Sequence, residues 1–140
     1  MGCATEIETK EKKLRIEDAI SATRAALLGG ISEGGGTSYL KAKTAIQKHK
    51  FHPKHTEGAK VLADSLDSIT RKIAQNSGAI PDVVLANIAK QNTGYNALAD
   101  TYENLSDSGI IDPTLVITAV IQNATSAAAT LLTTNAVIIA

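Results

Sequence analysis

The sequence is poor in cysteine, in aromatic residues and in net charge. Among its 140 residues, Lys and Arg together number 14 and Asp and Glu together number 14, so the formal net charge is zero. A balanced chain has no strong positive field to attract nucleic acid, and we expect no nucleic-acid partner. The single cysteine, Cys3, excludes an internal disulfide and indicates a reducing compartment inside a cell.

Long apolar runs and targeting signals are also scarce. Residues 113–140 carry no charged side chain, but Thr, Ser, Asn and Gln interrupt each apolar run before it reaches the ~20 residues that a membrane span needs. We therefore expect a helix buried in protein, and no membrane partner. The start Met1-Gly2-Cys3 resembles an acylation signal, but Glu6 stands where that signal needs Ser or Thr. No charged segment followed by an apolar one appears at the start, so no secretory signal is predicted.

What the sequence does contain is helical periodicity, in a chain long enough for one domain with its own core. Apolar residues at helical spacing, together with glycine and proline punctuation, predict helices over residues 13–28, 37–50, 57–75 and 81–90. A further helix of about 20 residues should follow Asp112-Pro113. The helix over 57–75 has the clearest apolar face, formed by Ala59, Leu62, Leu66, Ile69 and Ile73.

Between the helices, other patterns predict loops and a little β structure. The basic stretch 48–55 reads as a loop, and Gly94-Tyr95-Asn96-Ala97 could carry a small hairpin. Residues 136–140, which are β-branched and apolar, are predicted to form a strand. The predicted fold class is therefore mostly α, with one or two small β elements.

Five of the ten glycines fall within residues 29–36, which suggests either a flexible joint or a place where something approaches the backbone closely. Gly34, Gly35 and Gly36 open a predicted helix, and the free N–H groups at a helix start favour anions or polar ligands. No lysine follows at the position that a phosphate loop requires. A tight turn between packed helices explains the same three glycines without a ligand.

Two carboxylates stand out by position, and each also has a structural explanation. Asp18 lies two positions from both Ile16 and Ile20, roughly 200° around the helix, so it faces away from the apolar stripe. A solvated acid or a partner of Arg15 would look the same. Asp112 precedes Pro113 at a predicted helix start, and a helix cap there needs no ligand.

Three histidines recur every three residues in the basic stretch, at positions 49, 52 and 55. Pro53 breaks any helix that would align them, and no cysteine accompanies them. Because a complete zinc site usually needs four ligands, we predict no metal site here.

Four stretches in this order resemble the C-terminal part of a group I chaperonin of the GroEL type. They are Ala4-Thr-Glu-Ile-Glu-Thr-Lys-Glu-Lys-Lys-Leu-Arg-Ile-Glu-Asp-Ala19, Ala22-Thr-Arg-Ala-Ala26, Glu33-Gly-Gly-Gly36, and Gly94-Tyr-Asn-Ala97 followed by Gly109-Ile-Ile-Asp-Pro-Thr114. The similarity covers almost the whole chain. The first and last of these stretches are each characteristic of that family.

The resemblance implies domains and site residues. Residues 1–28 would form the returning half of the hinge-like intermediate domain, and residues 29–140 the C-terminal part of the helical equatorial ATPase domain. Gly34, Gly35 and Gly36 would approach the nucleotide, Asn96 and Ala97 would contact adenine, and Asp112 would lie near the ribose and base. Asp18 would position or activate the attacking water, as the catalytic residue.

The resemblance also implies cofactors and partners. ATP and Mg²⁺ would be held mainly by an N-terminal equatorial half, with its phosphate loop and magnesium-binding aspartate, which this chain lacks. Other chaperonin subunits in a ring would be partners, whereas unfolded proteins and a co-chaperonin would bind an apical domain. The expected location is the bacterial cytoplasm or an organelle matrix. Alone, the chain should be a poor ATPase. The alternative hypothesis is a helical scaffold or assembly module that works without nucleotide.

Overall fold

The computed structural model describes residues 5–136 and 138, and within them the fold is mostly α, as predicted. Its elements in chain order are α1 (Glu6–Gly29), β1 (Ile31–Glu33), α2 (Thr37–Lys48), α3 (Pro53–Ser65), α4 (Ser68–Asn76), α5 (Pro81–Gln91), β2 (Gly94–Asn96), β3 (Thr101–Glu103), β4 (Ile111–Pro113) and α6 (Thr114–Leu132). The chain divides into two compact units, Met1–Ile31 with Pro113–Ala140 and Ser32–Asp112. The assignment of residues 1–28 and 29–140 to two chaperonin domains stays a prediction.

In the first unit, α1 begins seven residues earlier than the apolar pattern alone indicates. Thr5 caps its start by accepting a hydrogen bond from the Glu8 N–H at 3.2 Å. The negative charge of Glu6, in the first turn, interacts favourably with the positive end of the helix dipole. Exposed ion pairs one turn apart, such as Lys10–Glu6 at 2.8 Å, support the charged half. The helix ends at Gly29, and the residue that caps it is Gly30, whose φ of +77° suits glycine.

The second helix of this unit, α6, is more exposed than the sequence suggests. The prediction of a buried helix is wrong for this chain, since Ile117 is its one buried residue. The reason is that α6 packs mainly against α1, where a Cβ on Gly29 would lie 2.2 Å from Leu115 Cγ, and its other faces meet solvent. By length and composition α6 could also cross a membrane, contrary to our expectation, although one such helix is weak support for a span.

In the second unit, the single helix predicted over residues 57–75 is divided into two helices, α3 and α4. The pattern over 57–75 predicts a single helix, but the structure ends α3 at Ser65 and begins α4 at Ser68. At the break the Leu66 N–H donates to Ala63 O at 3.3 Å, a tighter turn than in an α-helix. In α3 and α4 the most buried side chains are mostly small ones that lie beside the predicted apolar face. They are Ala63, Thr70 and Ala74, together with Leu66, which belongs to that apolar face.

The predicted hairpin is confirmed. Strands β2 and β3 pair antiparallel with Tyr95 opposite Tyr102, and the two rings lie 5.4 Å apart. Val84 and Ile88 of α5 pack with Ala74 and Tyr95 to form the core of this unit. Strands β1 and β4 form a second two-stranded sheet that the sequence did not predict.

Three local predictions need correction or lie out of reach. The basic stretch 48–55 is only partly a loop, because Pro53 starts α3 and the His52 ring accepts the Lys54 N–H. Asp112 does not cap α6; it belongs to β4, and Pro113 occupies the cap position without a side-chain hydrogen bond. The predicted strand 136–140 lies largely outside the described residues.

Candidate functional site

The glycine loop at Gly34–Gly36 is closely packed within the second unit. Gly35 and Gly36 have φ of +61° and +80°, a conformation that L side chains rarely adopt. A Cβ on Gly35 would lie 2.8 Å from Leu105 Cδ1, and one on Gly36 would lie 2.3 Å from Thr70 Oγ1. The loop is therefore glycine because neighbouring atoms already fill the space that side chains would need.

This loop meets the two other segments that the sequence analysis singled out. The Gly34 N–H donates to Ile110 O at 2.9 Å, two residues before Asp112 in the chain. A Cβ on Gly35 would lie 3.6 Å from Tyr95 O, and Tyr95 immediately precedes Asn96. Three stretches far apart in sequence thus converge through their backbones.

Asn96 holds the turn of the hairpin. Its Oδ1 accepts the N–H groups of Leu98 and Ala99 at 3.1 and 3.2 Å, and its Nδ2 donates to Glu103 Oε1 at 2.6 Å. These bonds fix the backbone around Ala97, which is half-buried against the core. The amide side chain of Asn96 therefore holds the β2–β3 turn in one conformation.

Asp112 carries a half-buried carboxylate that has no hydrogen-bond or ion-pair partner within residues 5–136 and 138. Burial raises its pKa above the ordinary value of 3.8. Burial also raises the pKa of Tyr39, and the negative charge of Asp112 raises it further. The hydroxyl of Tyr39, a residue near the start of α2, and the Asp112 carboxylate therefore interact electrostatically. A carboxylate in this state is a free acceptor for hydroxyl or N–H groups.

Asp18 lies on α1, in the first unit, and its side chain is exposed. The pairing with Arg15 that we considered does not form, because Arg15 contacts Glu11 at 3.8 Å. The structure therefore leaves Asp18 as a solvated acid on a long charged helix.

Several residues that shape the glycine loop were missed by the sequence analysis. Thr70 Oγ1 faces Gly35 O at 3.4 Å, and Tyr39, Tyr95 and Leu105 are almost fully buried around the loop. Thr70 is a polar residue on the buried side of α4, and its place among apolar residues could have indicated a structural role from the sequence. Leu105 lies in an irregular segment where no periodicity applies, so only the tertiary structure shows its place.

A polar group that these segments offer to a ligand is the free carboxylate of Asp112. That carboxylate can accept hydrogen bonds from hydroxyl groups. Within residues 5–136 and 138, no group of three or more His, Cys, Asp or Glu side chains could hold a metal ion.

Replacing Asp112 by Asn should stabilise the protein at neutral pH. Because the folded state holds the Asp112 proton more tightly than the unfolded state, ionisation lowers the free energy of unfolding as pH rises above 3.8. We expect Asp112→Asn to raise that free energy at neutral pH, because a neutral amide loses less hydration on partial burial than a carboxylate anion does. Urea denaturation at neutral pH and below pH 3.8 measures it, and the gain should vanish at the acid end.

The exposed residue Asp107 provides the control, since Asp107→Asn should leave the urea midpoint unchanged at both pH values. A loss of stability in Asp112→Asn at neutral pH would show instead that the carboxylate has a stabilising partner.

Comparison with known proteins gives one consistent result. The sequence model of the TCP-1/cpn60 chaperonin family matches residues 1–140. The chain is 43% identical over 141 residues to the protein named chaperonin GroEL of Methanospirillum hungatei JF-1. The alignment covers 99% of this chain and 26% of that relative, so the chain spans about a quarter of the relative's length. The chain belongs to the TCP-1/cpn60 chaperonin family, and its similarity is to the GroEL type.

Proposed function

We propose that this chain forms the C-terminal part of an ATP-dependent group I chaperonin and supplies one wall of its nucleotide pocket. The observation that carries the proposal is the convergence of the Gly34–Gly36 loop, strand β2 and the segment before Asp112, with the Asp112 carboxylate unpartnered. A nucleoside site needs a few fixed polar groups, and the Asp112 carboxylate and the turn held by Asn96 would supply them.

In this proposal each residue has a definite task. Gly34, Gly35 and Gly36 let the nucleotide lie against the main chain, and Asn96 fixes the turn so that it and Ala97 contact adenine. Asp112 accepts hydrogen bonds from the ribose or base, which its half-buried carboxylate is free to do. Asp18 positions or activates the water that attacks the terminal phosphate, a task that requires accurate placement.

The remaining chemistry is assigned to protein outside this chain. Bound ATP supplies the phosphoryl group for hydrolysis, and Mg²⁺ neutralises charge on its phosphates. Their ligands would come mainly from an N-terminal equatorial segment, as the family resemblance implies. This chain alone is then a poor ATPase that becomes part of an active site only in the longer protein.

The same proposal gives the biological role. The longer protein would form a ring with other chaperonin subunits in the bacterial cytoplasm or an organelle matrix, and it would assist protein folding. Unfolded substrates and a co-chaperonin would bind an apical domain outside this chain. The exposed apolar side chains of α6, such as Val116, Val120 and Leu131, would be covered by the rest of the protein.

Calorimetry with ATP and magnesium tests the split site. The chain alone should give no binding heat, whereas a mixture with the N-terminal equatorial segment of a GroEL-type chaperonin should give saturable heat. A control mixture with unrelated protein should stay silent. If the complemented mixture also gives no heat, although the two parts associate, the nucleotide proposal is wrong.

A second candidate function is a helical scaffold or assembly module without nucleotide chemistry. The observation that favours it is the same exposed apolar surface, which needs a protein partner but no nucleotide. Association of the two segments without any effect of ATP would select this candidate over the first.

A further inference from the structure

Glu103 of strand β3 has no part in the proposed function, although it carries a half-buried carboxylate beside the β2–β3 turn. Its Oε1 accepts a hydrogen bond from Asn96 Nδ2 at 2.6 Å, and it forms no ion pair in the part of the chain that the structure describes. A hydrogen bond to an ionised acceptor is shorter and stronger than one between neutral groups. The amide of Asn96 is therefore the group that compensates this carboxylate for its lost hydration.

Three contacts define which way the Asn96 amide faces. The backbone N–H groups of Leu98 and Ala99 can only donate, so they require the amide oxygen, which they approach at 3.1 and 3.2 Å. The ionised carboxylate of Glu103 can only accept, so it requires the amide nitrogen. The reversed amide would set oxygen against oxygen and N–H against N–H. Glu103 is thus the partner that holds the nitrogen end.

An amide held in this way can offer a ligand one donor and no acceptor. Asn96 Oδ1 already accepts two N–H groups, whereas one of the two Nδ2 hydrogens is engaged by Glu103 and the other has no partner among the described residues. A fixed N–H pairs with a ring nitrogen that carries no proton, such as N1 of adenine. In hypoxanthine and guanine N1 carries a proton, so two donors would face each other and both would stay unpaired.

We propose that Glu103 is a positioning residue for the base of bound ATP. Through the Asn96 amide it directs one N–H to N1 of adenine, and it thereby favours adenine over purines that carry an oxo group and a protonated N1. Glu103 itself does not touch the nucleotide. This inference rests on the proposed function, because it takes Asn96 as a residue that contacts the base.

The test compares ATP with inosine triphosphate, whose base is hypoxanthine. Calorimetry with magnesium, on the chain complemented by the N-terminal equatorial segment, gives a Kd for each nucleotide. We expect ATP to bind about tenfold more tightly or better. Glu103→Leu removes the acceptor and frees the amide to turn, so it should weaken ATP binding about fivefold and reduce the preference for ATP to about twofold or less. Glu103→Gln keeps an oxygen that can accept, so it should restore most of the preference.

Thr101→Ala is the matched control. Thr101 lies opposite Asn96 in the hairpin and is exposed, and its replacement lowers strand propensity without removing a contact of the Asn96 amide. A change that only loosens the hairpin should weaken both nucleotides alike, so Thr101→Ala should keep the parent's preference for ATP. If Glu103→Leu does not fold, as judged from its amide spectrum, Glu103→Ala removes the same acceptor.

The outcomes separate this inference from the function on which it rests. A complemented protein that binds no ATP would overturn both. If ATP binds but the parent holds inosine triphosphate equally well, the inference alone is overturned. The same holds if the variant that lacks the acceptor keeps the parent's preference, or if it weakens both nucleotides equally as a loosened hairpin would.

Discussion

Substituting Gly36 by Ala should destabilise the second unit by at least about 3 kcal/mol, from positive-φ strain together with overpacking. The new Cβ would lie 2.3 Å from Thr70 Oγ1 and 3.1 Å from the Thr70 backbone nitrogen. Thr70 is almost fully buried, so neither its side chain nor its backbone can move aside cheaply. A loss of this size is a large part of the ~5–15 kcal/mol by which typical domains are stable. Urea denaturation of the 140-residue chain measures it.

Two further glycines separate the contributions to this effect. Gly78 also has a positive φ, of +84°, but a Cβ there would meet nothing within 4 Å, so Gly78→Ala should cost only ~1–2 kcal/mol from strain. Gly58 lies inside α3 with open space around it, and Gly58→Ala should stabilise by ~0.5–1 kcal/mol. A loss in Gly36→Ala no larger than in Gly78→Ala would mean that the loop is not closely packed against α4.

Substituting Asp18 by Ala should abolish ATP turnover while sparing nucleotide binding. The measurement needs a ring-forming chaperonin in which this sequence is completed by the N-terminal equatorial and apical segments. There we expect a loss in kcat of roughly 10²–10⁴-fold, the usual contribution of a positioned acid or base. The affinity for ATP should change by less than about twofold, because a group that acts only on the attacking water adds little to ground-state binding.

The neighbouring acid provides the control for Asp18. Glu17 is exposed on the same helix, about 100° away around its axis, and pairs with Lys13 at 3.6 Å. Glu17→Ala should keep turnover near that of the parent protein. An unchanged hydrolysis rate in Asp18→Ala would remove this residue from the mechanism.

The glycine and proline signals in the sequence predicted most helix ends correctly, because capping and termination depend on a few adjacent residues. Gly30 ends α1, Pro81 begins α5, and the Gly94-Tyr95-Asn96 stretch forms the predicted hairpin. The four segments of the chaperonin resemblance identified the family, and residues 1–140 match its model. Local chemistry and family signals were thus sufficient for the fold class.

Features that depend on distant contacts were not predictable in the same way. The break between α3 and α4 leaves the apolar period intact, so the pattern over 57–75 contains no sign of it. The pairing of β1 with β4 joins segments about 80 residues apart that are too short to show strand periodicity. The exposure of α6 arises because burial depends on what lies beside a helix, which its own composition does not specify.

The candidate site shows the same division. Its glycines, Asn96 and Asp112 stay a prediction from the sequence, and the contacts that bring their segments together were not predicted. Gly36 against Thr70 and Gly35 against Leu105 are close approaches of residues more than 30 positions apart. Asp112 does not cap α6, contrary to the simplest local explanation of an Asp-Pro pair.

The most direct test of the nucleotide wall is an amide NMR titration of the ¹⁵N-labelled chain bound to an unlabelled N-terminal equatorial segment. Addition of ATP with magnesium should shift the signals of Gly35, Ala97 and Asp112 together, with one common dissociation constant. Signals of exposed residues such as Gly58 and Asp107 should stay in place. If those three signals do not move while the segments remain associated and ATP is bound, the wall lies elsewhere and the account is contradicted.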